Sequence, residues 1–328
     1  MTLIEAAEFL KANDDYIIVS HDGPDADGLG AAYALALGLE GIGKRAFAVM
    51  AEEPSPKFRF IDQRKLFRVF SSEEDLPIPA ERAIFIVVDT HDFGYLGSKA
   101  EDIMGKSPRC LVIDHHEPHG PILDFQCLDP TASSTCELVF LLVSLIGASL
   151  PQDAAEAIFA GIVYDTGSFS WPKTGERTFA CALELVKAGV KPYAMHKAMY
   201  ESSTVGVLIL EKLVLTSLEL AAGNRVAIQT LTRADIKESG ASYEDAEDFI
   251  NTPLQSQSVE VSVFFKENLD GKLRCSLRSK GGVNVAHIAQ SFGGGGHKTA
   301  SGFSCDRPLA PMKEAVLETI SRALDSQP

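Results

Sequence analysis

Two short segments concentrate the hard ligands of this chain: HDGPDADG at His21–Gly28 and DHH at Asp114–His116. Each follows an apolar, strand-like run, YIIVS before the first and CLVID leading into the second. Two more acids stand in similar places, Asp89 after IFIVV and Asp165 after AIFAGIVY. Strands that end in carboxylates and imidazoles point to a metal site at the rim of an α/β sheet. His21, Asp25, Asp27, Asp89, His115 and Asp165 supply ligand-type side chains from four segments, enough for two divalent ions. Oxygen and imidazole donors without thiolates favour Mn²⁺ or Mg²⁺, with Zn²⁺ less natural. Two such ions about 4 Å apart would deprotonate a bridging water and clamp a phosphate.

Within HDGPDADG, Gly23, Pro24 and Gly28 are expected to make a tight turn. Extended spacing would then send Asp25 and Asp27 to one side and Ala26 to the other. Aspartate is also a favoured helix N-cap, and that reading stays open. The GLG that follows is not a dinucleotide fingerprint, because Tyr33 stands where a third glycine would be. Neighbouring side chains diverge in extended backbone, so Asp114, His115 and His116 are not expected to share one ion. One histidine is expected as a ligand and the other facing a substrate phosphate, with Asp114 orienting a ring nitrogen. Asp165 lies in an apolar helical run, where a buried carboxylate needs a partner or a metal. Asp92 is less clearly tied to a strand end, and His91, His119, His196 and His287 read as structural or solvated.

A second set lies near the C-terminus, in RSKGGVNVAHIAQSFGGGGHKTASG. Four consecutive glycines, Gly293, Gly294, Gly295 and Gly296, would let backbone amides approach an anion. Arg278, Lys280, His297 and Lys298 could add positive charge, with Lys266, Lys272 and Arg274 on the preceding hairpin. This is not a Walker A loop: His297 interrupts the required GK[ST], and a strand follows in place of a helix.

The elements that must position these residues follow from the apolar pattern. Helical runs are expected at residues 2–12, at DGLGAAYALALGLEGIG, and at three segments from SSTCELVFLLVSLIG to ERTFACALELVKAG. YIIVS, RAFAVM, IFIVVD and LVID read as strands covered on both faces. The fold class is therefore α/β, a mostly parallel sheet flanked by helices over residues 1–190. A helical connector over 191–221 leads to a smaller α+β domain over 222–328. That domain reads as strand RVAIQTLT, an acidic helical stretch from about Ala234 to Ile250, a hairpin turning at Asp270–Gly271, a short helix, the glycine loop with its strand, and a last helix.

The chain has 328 residues and a net charge of −15. So acidic a surface should not hold long duplex nucleic acid, which needs many Lys and Arg contacts. A small anion can still be held by a local cluster or a metal. The six cysteines form no CxxC pair, which disfavours a zinc knuckle or a disulfide framework and fits a cytoplasmic protein. The N-terminus lacks the basic region of a signal peptide. The longest apolar stretch, LVFLLVSLIGASL, falls short of the roughly 20 residues a membrane span needs.

With these segments in this order, the chain resembles the DHH phosphoesterase superfamily over nearly its whole length. HDGPDADGLGA matches the family's first motif, with Ala31 where serine is common; VVDTHD matches its second, DHH its third and GIVYDTGSF its fourth. The C-terminal R-S…G-G-G-H segment is similar to the DHH-associated domain of the nanoRNase and pAp phosphatase group. The resemblance implies that His21, Asp25 and Asp89 bind one metal and Asp27, Asp89, His115 and Asp165 the other, with Asp89 bridging. It implies that His116 contacts the scissile phosphate and helps protonate the leaving oxygen. Arg278, Ser279, His297 and the Gly293–Gly296 loop would hold the substrate's terminal phosphate or nucleotide.

Members of that group are cytoplasmic Mn²⁺-dependent hydrolases, often dimeric, with the active site between their domains. Their substrates are short RNA oligonucleotides, 3′-phosphoadenosine 5′-phosphate (pAp) and linear dinucleotides. The expectation is a two-metal phosphoesterase of this kind. A RecJ-type exonuclease is disfavoured by the absence of a broad basic groove. Inorganic pyrophosphatases of related fold lack the GGGH element, and a nucleotide sensor with a degenerate site is disfavoured because all six ligand positions are filled.

Overall fold

The structure is a computed structural model that describes residues 1–96, 103–107, 109–118, 125–268 and 271–325. His119 and Asp270 lie outside the described residues. The chain divides into two compact units, Met1–Ser202 and the chain from Ser203 on.

The first unit is built on a six-stranded sheet whose pairings are all parallel. Its strands are β1 (Tyr16–Val19), β2 (Ala46–Met50), β3 (Arg68–Val69), β4 (Ile84–Val88), β5 (Arg109–Asp114) and β6 (Phe125–Leu128), in the spatial order β3-β2-β1-β4-β5-β6. The order reverses between β1 and β4, which opens the crevice where α/β sheets place their sites. Alternation along β1 sends Tyr16 and Ile18 into one core and Ile17 and Val19 into the other. Both faces are therefore covered, as the near-continuous apolar strands required.

One face is covered by α1 (Leu3–Ala12), α2 (Ala26–Gly41), α3 (Thr135–Leu145) and α4 (Gln152–Asp165). Thr2 and Glu5 close a capping box on α1. Ser134 caps α3, accepting from the Glu137 N–H at 3.0 Å. Helix α2 is buried on nearly all sides, and small residues let its neighbours approach. A Cβ built on Gly30 would stand 2.5 Å from the Ala157 carbonyl of α4. One built on Gly161 would stand 2.3 Å from Cys136 Sγ of α3 and 2.9 Å from Asp27 Oδ1 of α2.

The first unit ends with α5 (Glu176–Lys187) and α6 (Pro192–Tyr200). The run expected as one helical connector is two helices. Met195 and Met199 of α6 join the first unit's core, whereas α7 (Val205–Thr216) packs Leu210 and Val214 into a core of the second.

The second unit holds a mixed sheet in the order β11-β12-β10-β9-β8-β7. Its strands are β7 (Glu219–Ala221), β8 (Val226–Leu231), β9 (Val261–Glu267), β10 (Leu273–Ser279), β11 (Gly295–Gly296) and β12 (Ala300–Cys305). The pairing of β8 with β9 is parallel and the others are antiparallel. Helices α9 (Val285–Ser291) and α10 (Leu309–Asp325) cover one face. Helix α7 and a 3₁₀ segment, Glu244–Gln255, cover the other. The acidic helical stretch expected from Ala234 to Ile250 is interrupted. Helix α8 (Arg233–Ser239) stops at Gly240, whose φ of +71° ends it in the left-handed region.

Replacing Gly161 by alanine tests the close approach of α2, α3 and α4. Helix propensity alone favours alanine by about 1 kcal/mol. Overlap with Cys136 and Asp27 opposes this and should cost roughly 1–3 kcal/mol. A lower thermal midpoint is expected, and an unchanged or higher one would contradict the packing.

Candidate metal centre

Four chain segments meet at the carboxyl edge of the first sheet. His21 follows β1, Asp25 and Asp27 begin α2, Asp89 follows β4, Asp114 and His115 end β5, and Asp165 closes α4. Among the described residues the potential ligand atoms form three groups, each with its atoms within 4.8 Å of one another: Asp89–Asp114–His115–His116, and the two triads His21–Asp25–Asp89 and Asp27–His115–Asp165. Asp89 stands between the two triads: Oδ2 is 3.6 Å from His21 Nε2, and Oδ1 is 3.6 Å from His115 Nε2. His115 Nε2 is also 2.9 Å from Asp165 Oδ2 and 3.9 Å from Asp27 Oδ2.

Each carboxylate is aimed by its backbone. Asp25 and Asp27 do not lie in an extended turn as expected. Asp25 is the N-cap of α2, and its Oδ1 accepts from the N–H groups of Asp27 and Gly28 at 2.8 and 3.2 Å. Capping engages one oxygen, so the cap and ligand readings are compatible. Asp27 lies in the first turn of the helix, fully buried. Asp89 has φ +65°, left-handed backbone that a non-glycine residue holds only when its surroundings impose it. Its N–H is tied to the Ile113 carbonyl at 3.1 Å, across to β5.

The N-terminus of α3 contributes residues that sequence patterning did not single out. The Thr135 and Cys136 N–H groups donate to Asp27 Oδ2 and Oδ1 at 2.6 and 2.8 Å, and Thr135 Oγ1 donates to Asp89 Oδ1 at 3.0 Å. The available signal was STCE, a capping-box pattern ahead of an apolar run. Glu137 fixes this helix from below: buried, it accepts from Ser133, Thr178 and Arg177.

Asp114 binds no ring of His115. Its Oδ1 accepts from His116 Nδ1 at 2.7 Å and from the His115 and His116 N–H groups, while its Oδ2 faces His91 Nδ1. His91, expected as structural, is a buried member of this relay. Burial opposes ionisation of Asp114, but these hydrogen bonds outweigh it and hold the carboxyl well below the usual range. Burial likewise opposes the His116 imidazolium, yet the Asp114 contact raises its pKa above the ordinary histidine value. His115 is shifted down, first by burial, and neither of its ring nitrogens makes a hydrogen bond among the described residues.

Asp27 and Asp89 are buried and Asp165 is only partly exposed, so charging all three at once is opposed. Burial first, then neighbouring carboxylates, pushes Asp27 up to about 7 and Asp165 up to about 8, and raises Asp89 well above the normal range. A divalent cation relieves both effects. An imidazole whose burial disfavours its charged form, with ring nitrogens that make no hydrogen bond among the described residues, stands beside these acids, and carboxylates with imidazole suit divalent ions of the Mn²⁺ or Mg²⁺ kind.

In the second unit, Arg278 lies on β10 opposite Ser262 and Ala300, and its Nη1 donates to the Leu277 carbonyl at 3.2 Å. Ser279 offers no open hydroxyl: it is buried and donates to the Val283 carbonyl at 2.7 Å, bracing the turn after β10. The glycine run is not an open cradle of amides either. The Gly293 and Gly294 N–H groups donate to the Gln290 and Ala289 carbonyls and close α9, and the His297 N–H donates to the Ala300 carbonyl at 2.7 Å. Gly295 and Gly296 pair with β12. A Cβ on Gly294 would stand 2.2 Å from the Gly302 carbonyl, so close strand packing accounts for that glycine. Lys266 is buried against Tyr243 and Phe264.

A parallel sheet with two ligand triads hinged on one carboxylate is the framework of a metal-dependent phosphoester hydrolase. The model of the DHH family, N-terminal domain, matches residues 15–162, and that of the DHHA1 domain matches residues 223–326. The chain is 30% identical over 324 residues to the bifunctional oligoribonuclease and PAP phosphatase NrnA of Bacillus subtilis, covering 94% of this chain and 97% of that protein. It is 28% identical to the protein of the same description from Thermus thermophilus, covering 97% of this chain and 94% of that one. In fold it is similar to the crystal structure of an exopolyphosphatase-related protein from Bacteroides fragilis, with a TM-score of 0.92 at 24% identity over 99% of this chain and 98% of that one. The chain belongs to the DHH family, with a DHHA1 domain following the DHH domain.

The raised carboxylates predict how metal and pH combine. Without metal, Asp27, Asp89 and Asp165 retain protons that the unfolded chain gives up above about pH 4. Stability should therefore fall as pH rises toward the folded values of about 7 and about 8. His115, lowered in the fold, opposes this fall only while the unfolded imidazole still carries its proton, and His116, raised in the fold, adds to it. The thermal midpoint of the chelator-treated protein is expected to drop between pH 6.5 and 8, and Mn²⁺ to raise it more at pH 8. Equal Mn²⁺ shifts at the two pH values would count against a protonated acid cluster.

Proposed function

We propose that this protein is a two-metal phosphoesterase acting on short oligoribonucleotides, linear dinucleotides and pAp. The observation that carries the reading is Asp89, which turns one oxygen toward each ligand triad. Its relatives from B. subtilis and T. thermophilus, both described as oligoribonuclease and PAP phosphatase, support the substrate class. His21, Asp25 and Asp89 would hold one ion, and Asp27, Asp89, His115 and Asp165 the other. The donor set suits Mn²⁺, with Mg²⁺ the alternative. Such ions, when bound, lower the pKa of water and neutralise charge on phosphoryl oxygens.

The remaining roles belong to side chains. His21 contacts the Asp22 carbonyl through Nδ1 at 2.9 Å, which leaves Nε2 for Asp89's side of the cluster. Thr135 and Cys136 keep Asp27 from turning away. His116 is half exposed, fixed through Nδ1 by Asp114 and favoured in its protonated form. It is suited to contact the scissile phosphate and pass a proton to the leaving oxygen. Arg278, His297 and the Gly293–Gly296 hairpin would bind the terminal phosphate or nucleotide, the glycines by allowing close approach. Ser279 would support that set through its turn. The net charge of −15 favours a short substrate held locally over a long strand tracked by a basic groove. The family resemblance supports a cytoplasmic, dimeric enzyme. Among the described residues no helix is long and apolar enough to cross a membrane.

Turnover of pAp, a linear dinucleotide, 5-mer RNA, 24-mer RNA and single-stranded DNA by the Mn²⁺-loaded protein tests the reading. Fast cleavage of the short species is expected, and chelation should abolish it. Asp89→Ala should lower turnover by roughly a thousandfold or more, because both ions lose a ligand. A preference for long DNA, or an undiminished rate in that variant, would overturn the assignment. Arg278→Ala should raise KM about tenfold with little change in kcat, as loss of uniform binding does. The reverse pattern would contradict its role as a clamp.

A further inference from the structure

The chain just beyond Asp165 is folded more tightly than the end of a helix requires. Gly167, Ser168 and Phe169 are three successive residues with positive φ, at 54°, 57° and 66°. Non-glycine residues hold that conformation only when many contacts impose it, and such strain gathers at functional sites. The contacts are present. The Ser168 N–H donates to the Val163 carbonyl at 2.8 Å, and the Ser170 and Trp171 N–H groups both donate to the Thr166 carbonyl at 2.9 Å. The Phe169 N–H donates to Thr166 Oγ1 at 2.9 Å, and the Phe169 ring stacks on Phe179 with centroids 5.3 Å apart.

This fold sets Trp171 against Gly167, two residues past Asp165, and Lys173 against His115. Trp171 lies against Gly167, where a Cβ would come within 2.4 Å of the indole Nε1, and yet the residue is 56% exposed. Lys173 Nζ donates to the His115 carbonyl at 3.1 Å, and His115 Nε2 is 2.9 Å from Asp165 Oδ2. An ammonium has three N–H donors, so this bond leaves capacity for another acceptor. A large aromatic surface backed by main chain and open to solvent, with a cation two residues away, suits neither core packing nor binding of a bare phosphate alone. It suits a nucleotide, whose base stacks and whose phosphate pairs.

We propose that Trp171 and Lys173 form a nucleotide subsite beside the metal centre: the indole stacks on a base flanking the scissile phosphate, and the ammonium pairs with a non-bridging oxygen of an adjacent phosphate. The proposal rests on the phosphoesterase reading above and adds a determinant of substrate class to it. Stacking tolerates any base, so the subsite selects nucleotides over base-free phosphates and polyphosphates and does not select among sequences.

Trp171 is the chain's single tryptophan, so its emission reports this subsite without a label. In the full-length Mn²⁺-loaded protein, 5′-AMP is expected to change the emission saturably, and ribose 5-phosphate and inorganic phosphate are not. Trp171→Ala should raise KM for a linear dinucleotide about tenfold with kcat within about twofold, and Trp171→Phe should recover most of the loss. Lys173→Met should also raise KM, and Lys173→Arg should restore it. No emission change at 5′-AMP concentrations that inhibit turnover, or an unchanged kcat/KM in Trp171→Ala, would overturn the subsite. The titration uses the unaltered chain, so a variant that fails to fold cannot mask the answer. An unaltered chain with no Mn²⁺-dependent phosphodiester turnover would sink the parent reading instead, and the titration would still decide the subsite.

Discussion

Asp27 and Asp89 are buried and Asp165 is largely so, each raised by burial and by the charge of neighbouring carboxylates, and this repulsion is the constraint on which the first unit depends. Left alone, such acids would take up protons or push their elements apart. The fold holds them by other means. Backbone N–H groups at the start of α3 grip both oxygens of Asp27, and β5 grips the main chain at Asp89. The arrangement then favours a doubly charged cation over a proton, because the cation answers several carboxylates at once.

Much of the surrounding architecture follows from bringing those acids together. Asp27 sits in the first turn of α2 and Asp165 at the last residue of α4, so the two helices must approach closely. Gly30 and Gly161 permit that approach, and Cys136 fills the gap left between them. Asp89 must turn out of its strand toward two neighbours, and its left-handed backbone is the result. A similar division of labour appears in the DHH segment. Among the described residues the ring of His115 makes no hydrogen bond and burial disfavours its charged form, while the His116 ring is bonded to a buried aspartate that favours its charged form. Adjacent residues are therefore shifted in opposite directions, one toward binding a metal and the other toward giving a proton.

The second unit shows how far residue type can mislead about use. A run of four glycines beside basic residues reads as an anion cradle. In the fold, two of its N–H groups finish a helix and two of its residues form the edge strand β11, paired with β12. Glycine is needed there because β12 passes too close for a side chain. Lys266 counted as available charge in the sequence, but the alternation of β9 turns it toward Tyr243 and Phe264. Arg278 lies opposite Ser262 on β9 and keeps part of its surface exposed.

Local patterning was enough to place four of the six strands of the parallel sheet, its flanking helices, and the carboxylates and histidines at strand and helix ends; β3 and β6 were not read from it. Continuous apolar runs, stop signals and hard ligands directly after them are all short-range features. It was enough for Asp89, Asp114 and His115 as members of one sheet edge, because the strands of a parallel sheet end on the same side, while Asp165 ends a helix. It could not decide whether Asp25 caps or coordinates, since an aspartate has two oxygens and only the helix start shows that one is engaged. Nor could it show His91 meeting Asp114, Thr135 meeting Asp27 and Asp89, or Lys173 meeting His115. These partners are 23 to 108 residues apart in the chain. Such contacts depend on which helices cross and which loops double back. That is settled by close packing between distant segments, and no pattern within a single segment encodes it.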